Sequence, residues 1–524
     1  MKRQEMIEKI RSGGRKYDFI IIGGGATGIG VLLEAITRGY SAILFEASDF
    51  TKSTSSKSTK LVHGGVRYLA QGNIGLVREA CVERGRLRKN APHIVKKQSF
   101  IIPVFSFYEE FLYTIGLKFY DLLSGKYSLG RSRRISRKKT VSGIGTLKTA
   151  GLKAGIKYMD GQFDDSRLGI ATLQIAIEKG GIAVNYFPVS DLIKNKNNQV
   201  SGIIANDLLS KKKYRIEGNH IINATGVFAD EIMQMDQPGI EKTIQPSQGI
   251  HLVIPKNFLP GKHALMIPKT EDGRVLFAVP WLNRVVLGTT DTPIEQSSLE
   301  PVALDEEVDF ILRTASKYLK KAPTRKDVLS VFTGLRPLAA TGNSDKTKEI
   351  SRSHKIMTSP SGLITIIGGK WTTYRKMGED LVTRVEKDGN IHSTLTISHK
   401  TKLFGYKKKV NRSDSLYLYG TEAEKIKTIA KEEGYEGLIS EKLKISTAET
   451  VYAVRFEMAV RLEDVLARRT RALLLDAKEA INIAKDVAKT MARELNHDET
   501  WIENELKDFK KLAKKYILKD VNAN

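Results

Sequence analysis

YDFIIIGGGATGIGVLLEAITRGYSAILFE, Tyr17 to Glu46, decides the fold. The apolar run Phe19 to Ile22 predicts a strand, Gly23-x-Gly25-x-x-Gly28 a tight turn, Ile29 to Arg38 a helix, and Ser41 to Phe45 a second strand that delivers Glu46. Together they spell a βαβ unit for a dinucleotide: one glycine makes the turn, one lets backbone approach a pyrophosphate, and one lets helix pack on strand. The helix N-terminus offers unpaired N–H groups to phosphate, and Glu46 is placed to accept from a ribose hydroxyl. A bare glycine motif is weak evidence. Here the strand before it, the helix after it and the acid at the right distance agree.

Working outward, 524 residues with 41% hydrophobic content can bury a large core and should divide into more than one domain. The 85 Lys and Arg against 59 Asp and Glu give +26, which suits nucleic acid, an anionic membrane face or phosphorylated metabolites without choosing among them. One cysteine, Cys81, excludes an internal disulfide and a cysteine-clustered metal site, and no metal is expected. The first sixteen residues are polar, without the apolar core of a signal peptide, and no later run is long and apolar enough to cross a bilayer.

After Glu46 a Ser/Thr/Lys-rich loop, Thr51 to Thr59, leads into LVHGGVRYL, Leu61 to Leu69. His63, Gly64, Gly65, Arg67 and Tyr68 put an imidazole, a guanidinium and a phenol within a few residues of the cofactor loop. Farther on come HIINATGVFAD at 220–230, FTGLRPLAA at 332–340, EISRSHKI at 349–356 and LITIIGGKWTTYRKMGED at 363–380. In content and order these blocks resemble the FAD-dependent, respiratory glycerol-3-phosphate dehydrogenase family, from about Tyr17 to the final helices.

The resemblance implies an α/β fold: an FAD-binding Rossmann-like domain of the glutathione-reductase and D-amino-acid-oxidase type, an antiparallel-sheet substrate domain and a helical C-terminal domain. The expected boundaries are a polar segment at 1–16, a discontinuous FAD domain at 17–104, 165–247 and 333–397, a substrate domain at 105–164 and 248–332, and the helical domain at 398–524. Cofactor contacts are expected from Gly23, Gly25, Ala26, Thr27, Gly28, Glu46, Ser55, Ser56, Lys57, Leu61, His63, Gly64, Val189, Thr225, Gly226, Gly369, Lys370 and Thr373. Arg67, Tyr68, Arg336, Arg352, Lys370 and Thr372 match the family's substrate site, with Arg336 and Lys370 also expected to act in catalysis.

The implied reaction oxidises glycerol 3-phosphate to dihydroxyacetone phosphate by hydride transfer to FAD, and a membrane quinone then takes the electrons. Arginines suit the phosphate because a guanidinium can grip it with two charge-assisted bonds. A histidine suits proton removal because its pKa lies near working pH, with His63 the first choice and His251 the second. A flavin-dependent glycerophosphate oxidase shares the blocks but carries an inserted segment for which this chain offers no candidate. An amine or amino-acid oxidase of the same broad fold would meet a carboxylate instead of a phosphate. A nucleic-acid-binding flavoprotein would answer to the charge alone, but no RNA- or DNA-binding motif accompanies it, and nucleic acid is not an expected partner.

One further segment bears on location. In FSFYEEFLYTIGLKFYDLL, Phe105 to Leu123, Tyr108, Phe111, Leu112, Ile115, Phe119 and Leu122 recur at helical spacing, and the run Lys126, Arg131, Arg133, Arg134, Arg137, Lys138 and Lys139 follows without an acid. Such a stripe more often packs on the protein's own core, the expectation adopted here, though with a basic flank it also describes a membrane-surface anchor. The expected location is cytoplasmic or peripheral on the inner membrane face. A membrane surface and a second copy of the chain stand as further candidate partners.

Overall fold

Strand Tyr17–Ile22 lies inside an eight-stranded sheet, flanked in parallel by Ala42–Phe45 on one side and Lys213–Asn223 on the other. The computed structural model describes all residues except 13, 15, 67–68, 70–71, 340–352, 390–393, 433 and 520–524. Ile182–Val184 extends the sheet beyond Ala42–Phe45, and Ile364–Gly368 joins Lys213–Asn223 in parallel before His354–Thr358 closes that edge. Parallel strands buried on both faces need unbroken apolar runs. Phe19 to Ile22 and Ile43 to Phe45 supply them, each at most 4% exposed.

Helices Ala26–Thr37, Asp165–Glu178 and Tyr374–Asp388 pack against this sheet and one another. The first and last cross at backbone contact: a Cβ on Gly30 would lie 2.6 Å from Tyr374 O, and one on Gly378 2.4 Å from Gly30 O. The N-terminal segment is more than a polar leader. Arg3–Ser12 is a helix that buries Met6, Ile7 and Ile10 in the same core, and Arg3 binds Asn185 O and Asp207.

A second, ten-stranded sheet is antiparallel except where Ala264–Ile267 runs parallel to Lys96–Val104. Its strands reach past the sequence boundaries. Leu61–Val62, Lys96–Val104, Ile244–Pro255 and all of Ser330–Ala339 hydrogen-bond into it, so the chain passes from the first sheet to the second several times. Past residue 398 the chain is mainly helical, with Thr447–Glu457, Ala477–Leu495 and Glu499–Ala513 its longest helices. It is tied to the cofactor domain by buried charge. Arg468 and Arg469 both bind Asp49, and Arg167 binds Glu457.

Helix Phe107–Ser124 overturns the expectation of core packing. It starts at a capping box in which Ser106 accepts from Glu109 N at 3.1 Å, and it lies on the second sheet through Leu117 and on the helix Ile74–Asn90 through Tyr120. Its aromatic stripe faces out: Phe107 and Tyr108 are 73% and 74% exposed, Phe111 67% and Leu122 73%. Two apolar faces exist on this helix, and the sheet and the helix Ile74–Asn90 cover only the smaller. Among the described residues no helix is long and apolar enough to cross a membrane.

Candidate active site

Three cavities join end to end between the two sheets. The first, about 380 Å3, is lined by Gly23, Gly25, Ala26, Thr27, Glu46, Ser55, Val189, Thr225 and Gly226. The second, about 220 Å3, shares Thr54, Gly368, Gly369, Lys370 and Trp371 with the first and adds Leu61, His63, His251, Arg336 and Thr372. The third, about 170 Å3, shares Thr59, Leu61, His63 and Arg336 with the second. This continuous trench suits an elongated cofactor with a small substrate at its far end.

The nucleotide end is built as the glycine motif requires. The N-cap Gly25 offers no side chain to the helix starting at Ala26, and Ser55 Oγ accepts from Ala26 N at 2.9 Å, so the amides that follow in the first turn face an anion. A Cβ on Gly28 would stand 1.9 Å from Gly23 O, so helix and turn could not close on any larger residue. Glu46 accepts from Gly24 N at 2.6 Å and from Ser48 N at 2.8 Å. Burial raises its carboxyl pKa, and those two amides oppose the rise. A half-buried carboxyl fixed this way, beside a helix start whose N-cap is glycine, fits an adenosine diphosphate ribose.

The middle cavity is held open by neighbouring strands of the second sheet. His251 and Arg336 sit on one face of the pair Ile244–Pro255 and Ser330–Ala339, with Gly249 opposite Gly334 between them. A Cβ on Gly249 would lie 2.4 Å from Arg336 Nη2, so glycine is what leaves space there. Arg336 donates to Asp291 Oδ1 at 3.0 Å, to Gln248 O at 3.3 Å, to Thr289 Oγ1 at 3.2 Å and to Thr290 O at 2.9 Å. His251 Nε2 is 2.8 Å from Thr59 Oγ1 and its ring stacks on Phe332. Burial, then Arg336 and Lys60, push its pKa well below the ordinary 6.5, so it is neutral at working pH. His63 stands where the second and third cavities meet, its backbone N donating to Thr372 Oγ1 at 3.2 Å.

Several expected side chains turn elsewhere. Ser56 Oγ donates to Lys52 O and Ser53 O within its own loop. Lys57 lines the middle cavity, but its ammonium sits on Glu300 at 2.7 Å, with burial lowering its pKa against the pull of that carboxylate. Gly64 N donates to Tyr120 OH at 2.8 Å, and a Cβ there would meet Cys81 Sγ and that hydroxyl at 2.5 Å, so this glycine serves packing. Thr373 is buried and bonds Lys370 O. Arg67, Tyr68 and Arg352 lie outside the described residues.

Other groups that shape the site had no sequence motif to mark them. Arg274 lines the third cavity and donates to Asp291 O at 2.5 Å, bracketing Asp291 between two guanidiniums. Trp371 Nε1 donates to Ser55 O at 2.7 Å and Thr54 Oγ1 to Leu335 O at 2.6 Å, which pins the Ser/Thr loop to both sheets. Lys60, fully buried, bridges Asp165 and Ser56 O. Only the pairing of the second sheet brings Arg274 and Asp291 to Arg336, so nothing local in sequence announces them.

Fold and trench together define a dinucleotide-dependent oxidoreductase of the flavin class. Residues 18–375 match the family described as FAD dependent oxidoreductase, and residues 364–501 match the C-terminal domain of alpha-glycerophosphate oxidase. The chain is 35% identical to the mitochondrial glycerol-3-phosphate dehydrogenase of Bos taurus, over 95% of this chain and 73% of that one, and 34% identical to that of Schizosaccharomyces pombe, over 92% and 85%. The solved glycerol-3-phosphate dehydrogenase from Bacillus halodurans, complexed with FAD, superposes with a TM-score of 0.80 at 27% identity over 99% of both chains. The chain belongs to the FAD-dependent glycerol-3-phosphate dehydrogenase family. An L-alpha-glycerophosphate oxidase from Mycoplasma pneumoniae shares the fold, with a TM-score of 0.56 at 15% identity over 70% of this chain and 94% of that one.

Proposed function

We propose that this chain oxidises sn-glycerol 3-phosphate to dihydroxyacetone phosphate and delivers the electrons to a quinone in a membrane. The observation that carries the reading is the trench itself: a dinucleotide cleft opening directly onto a small compartment walled by His63 and Arg336. Bound FAD supplies the acceptor for the substrate's C2 hydrogen and its electron pair. Arg336 holds the phosphate, in an orientation already fixed by Asp291 and the backbone carbonyls, and Lys370 and Arg274 add positive charge on either side. Arg67 and Arg352 are assigned to the same phosphate by their family positions. Because enzyme groups preset in this way need not reorganise during the reaction, they act on the transition state at little cost.

His63 takes the proton of the C2 hydroxyl. It is assigned over His251 because it faces both compartments, whereas His251 is pinned by Thr59 and Phe332 beneath the middle one. The quinone assignment draws on helix Phe107–Ser124, whose outer face is apolar and whose inner face holds Gly64 through Tyr120, one residue from His63. That helix would rest on the membrane surface, with Arg131 and Lys138 beside the lipid phosphates. Anaerobic addition of glycerol 3-phosphate to the yellow holoprotein is expected to bleach the flavin. Absence of bleaching would overturn the reading, and peroxide yield compared with quinone-analogue reduction would distinguish an oxidase.

A further inference from the structure

The strand Lys96–Val104 alternates between two environments. Phe100 faces the substrate compartment, while its neighbour Ile101 faces a cavity of about 350 Å3 on the opposite side of the second sheet. That cavity shares no residue with the trench. Its walls carry Arg133, Lys139, Lys157, Lys262 and His263, together with the Ser142 hydroxyl, and no acidic residue.

The basic run of the sequence is thereby divided by strand geometry. Arg134 faces the helix Phe107–Ser124 and pairs with Glu110, whereas Arg133, opposite Lys157 in the register, belongs to the cavity. None of Arg133, Lys139, Lys157 or Lys262 makes an ion pair among the described residues. Two glycines let the floor pack closely: a Cβ on Gly261 would lie 2.7 Å from Gly143 O, and one on Gly143 2.7 Å from Ile101 and 3.1 Å from the His263 ring. Ser99 Oγ, 2.6 Å from His263 Nδ1, fixes that ring in the wall.

We propose that this cavity is a second anion site, distinct from the trench, which takes the phosphate group of a small organic phosphate or of a lipid headgroup. Four like charges around one opening repel one another, and an anion between them adds an attraction to each that offsets the repulsion. The surroundings act in the same sense: burial and then Arg133 lower the pKa of Lys157, and burial and then Lys157 lower that of His263. A hydroxyl, an imidazole and amino and guanidino donors are the groups that bind phosphate oxygens.

The test uses holoenzyme at physiological salt and two probes: radiolabelled inorganic phosphate in equilibrium dialysis, and flotation with phosphatidylcholine vesicles with or without phosphatidylglycerol. The variant Arg133→Gln/Lys157→Gln/Lys262→Gln is compared with Lys478→Gln/Lys485→Gln/Lys489→Gln, which removes equal charge from the exposed side of the helix Ala477–Leu495. If the ligand is a soluble phosphate, wild type and control bind one phosphate more per chain than the cavity variant, or bind it at least tenfold more tightly. If it is a headgroup, the phosphatidylglycerol-dependent gain in flotation falls at least tenfold in the cavity variant alone. Equal behaviour of the two variants with both probes overturns the proposal. Flavin reduction by glycerol 3-phosphate should be unchanged in the cavity variant, which confirms its fold and separates this site from the trench.

Discussion

At Arg336 the site is most sharply defined, because four acceptors hold one guanidinium in place. Truncating one partner of a buried charge pair costs roughly 2–5 kcal/mol, so Arg336→Ala should lower kcat/KM for glycerol 3-phosphate about 100-fold or more. Anaerobic stopped-flow reduction measures it, and retained bleaching would remove Arg336 from the site. His63→Gln should slow flavin reduction by about 10²–10⁴ and flatten the acid limb of its pH profile, while His251→Gln keeps that limb. Gly249→Ala should act like a partial loss of Arg336, since its methyl would displace the guanidinium from the position it now holds. At this scale the sequence was uneven as a guide. Glu46 and the glycine turn follow from local pattern, but Ser56 and Lys57 read as cofactor ligands from a Ser/Thr/Lys-rich loop and its family resemblance, and only the fold shows their polar atoms engaged by Lys52, Ser53 and Glu300. Arg274 and Asp291 were illegible for the converse reason, as no local pattern says which strands will be neighbours.

Among the elements, the helix Phe107–Ser124 departs furthest from expectation. Its periodicity was legible; which face the protein would cover was not, because both faces are apolar and the sheet can take only one. Fully burying a phenylalanine or leucine side chain is worth about 1.5–3 kcal/mol. Phe111→Ser with Leu122→Ser should therefore weaken vesicle binding by at least about 100-fold, with reduction by glycerol 3-phosphate in solution unaltered. Flotation assays read the first quantity and stopped flow the second. A second element prediction concerns His93, which joins the helix-rich C-terminal region to the cofactor domain through Phe404 O at 3.1 Å. Burial lowers its pKa from the usual 6.5 to about 4. An unfolded chain takes up this proton below about pH 6.5 and the folded one only near pH 4, so acid favours unfolding across that window, by about 3 kcal/mol at its lower end. Urea midpoints measured from pH 7 to pH 4.5 should fall less steeply in His93→Gln than in wild type.

For the whole molecule, buried charge joins parts that sequence reading treated as separate domains. Burial by itself would raise the Asp49 carboxyl, but Arg469 and Arg468 outweigh it and hold the group below the usual carboxylate range. Removing the carboxylate leaves two guanidiniums buried, a loss of about 3–5 kcal/mol by analogy with other broken buried pairs. Asp49→Ala should lower the urea midpoint and release flavin from the adjoining loop, both measurable by fluorescence. The broad architecture of cofactor sheet, second sheet and helical tail was readable from the order of motifs. The crossings between the sheets were not, since a strand such as Ser330–Ala339 looks the same in sequence whichever sheet receives it.

One feature of the first sheet also governs how the protein is made. Tyr17–Ile22 is made well before its parallel neighbour Lys213–Asn223, which follows some two hundred residues later, and Ile364–Gly368 comes later still. Until then the nascent chain has an unfinished sheet with exposed edges and no walls to enclose the isoalloxazine. Flavin capture therefore has to wait until Ile364–Gly368 has been made, and the strand edges left open meanwhile are places where the growing polypeptide can pair wrongly.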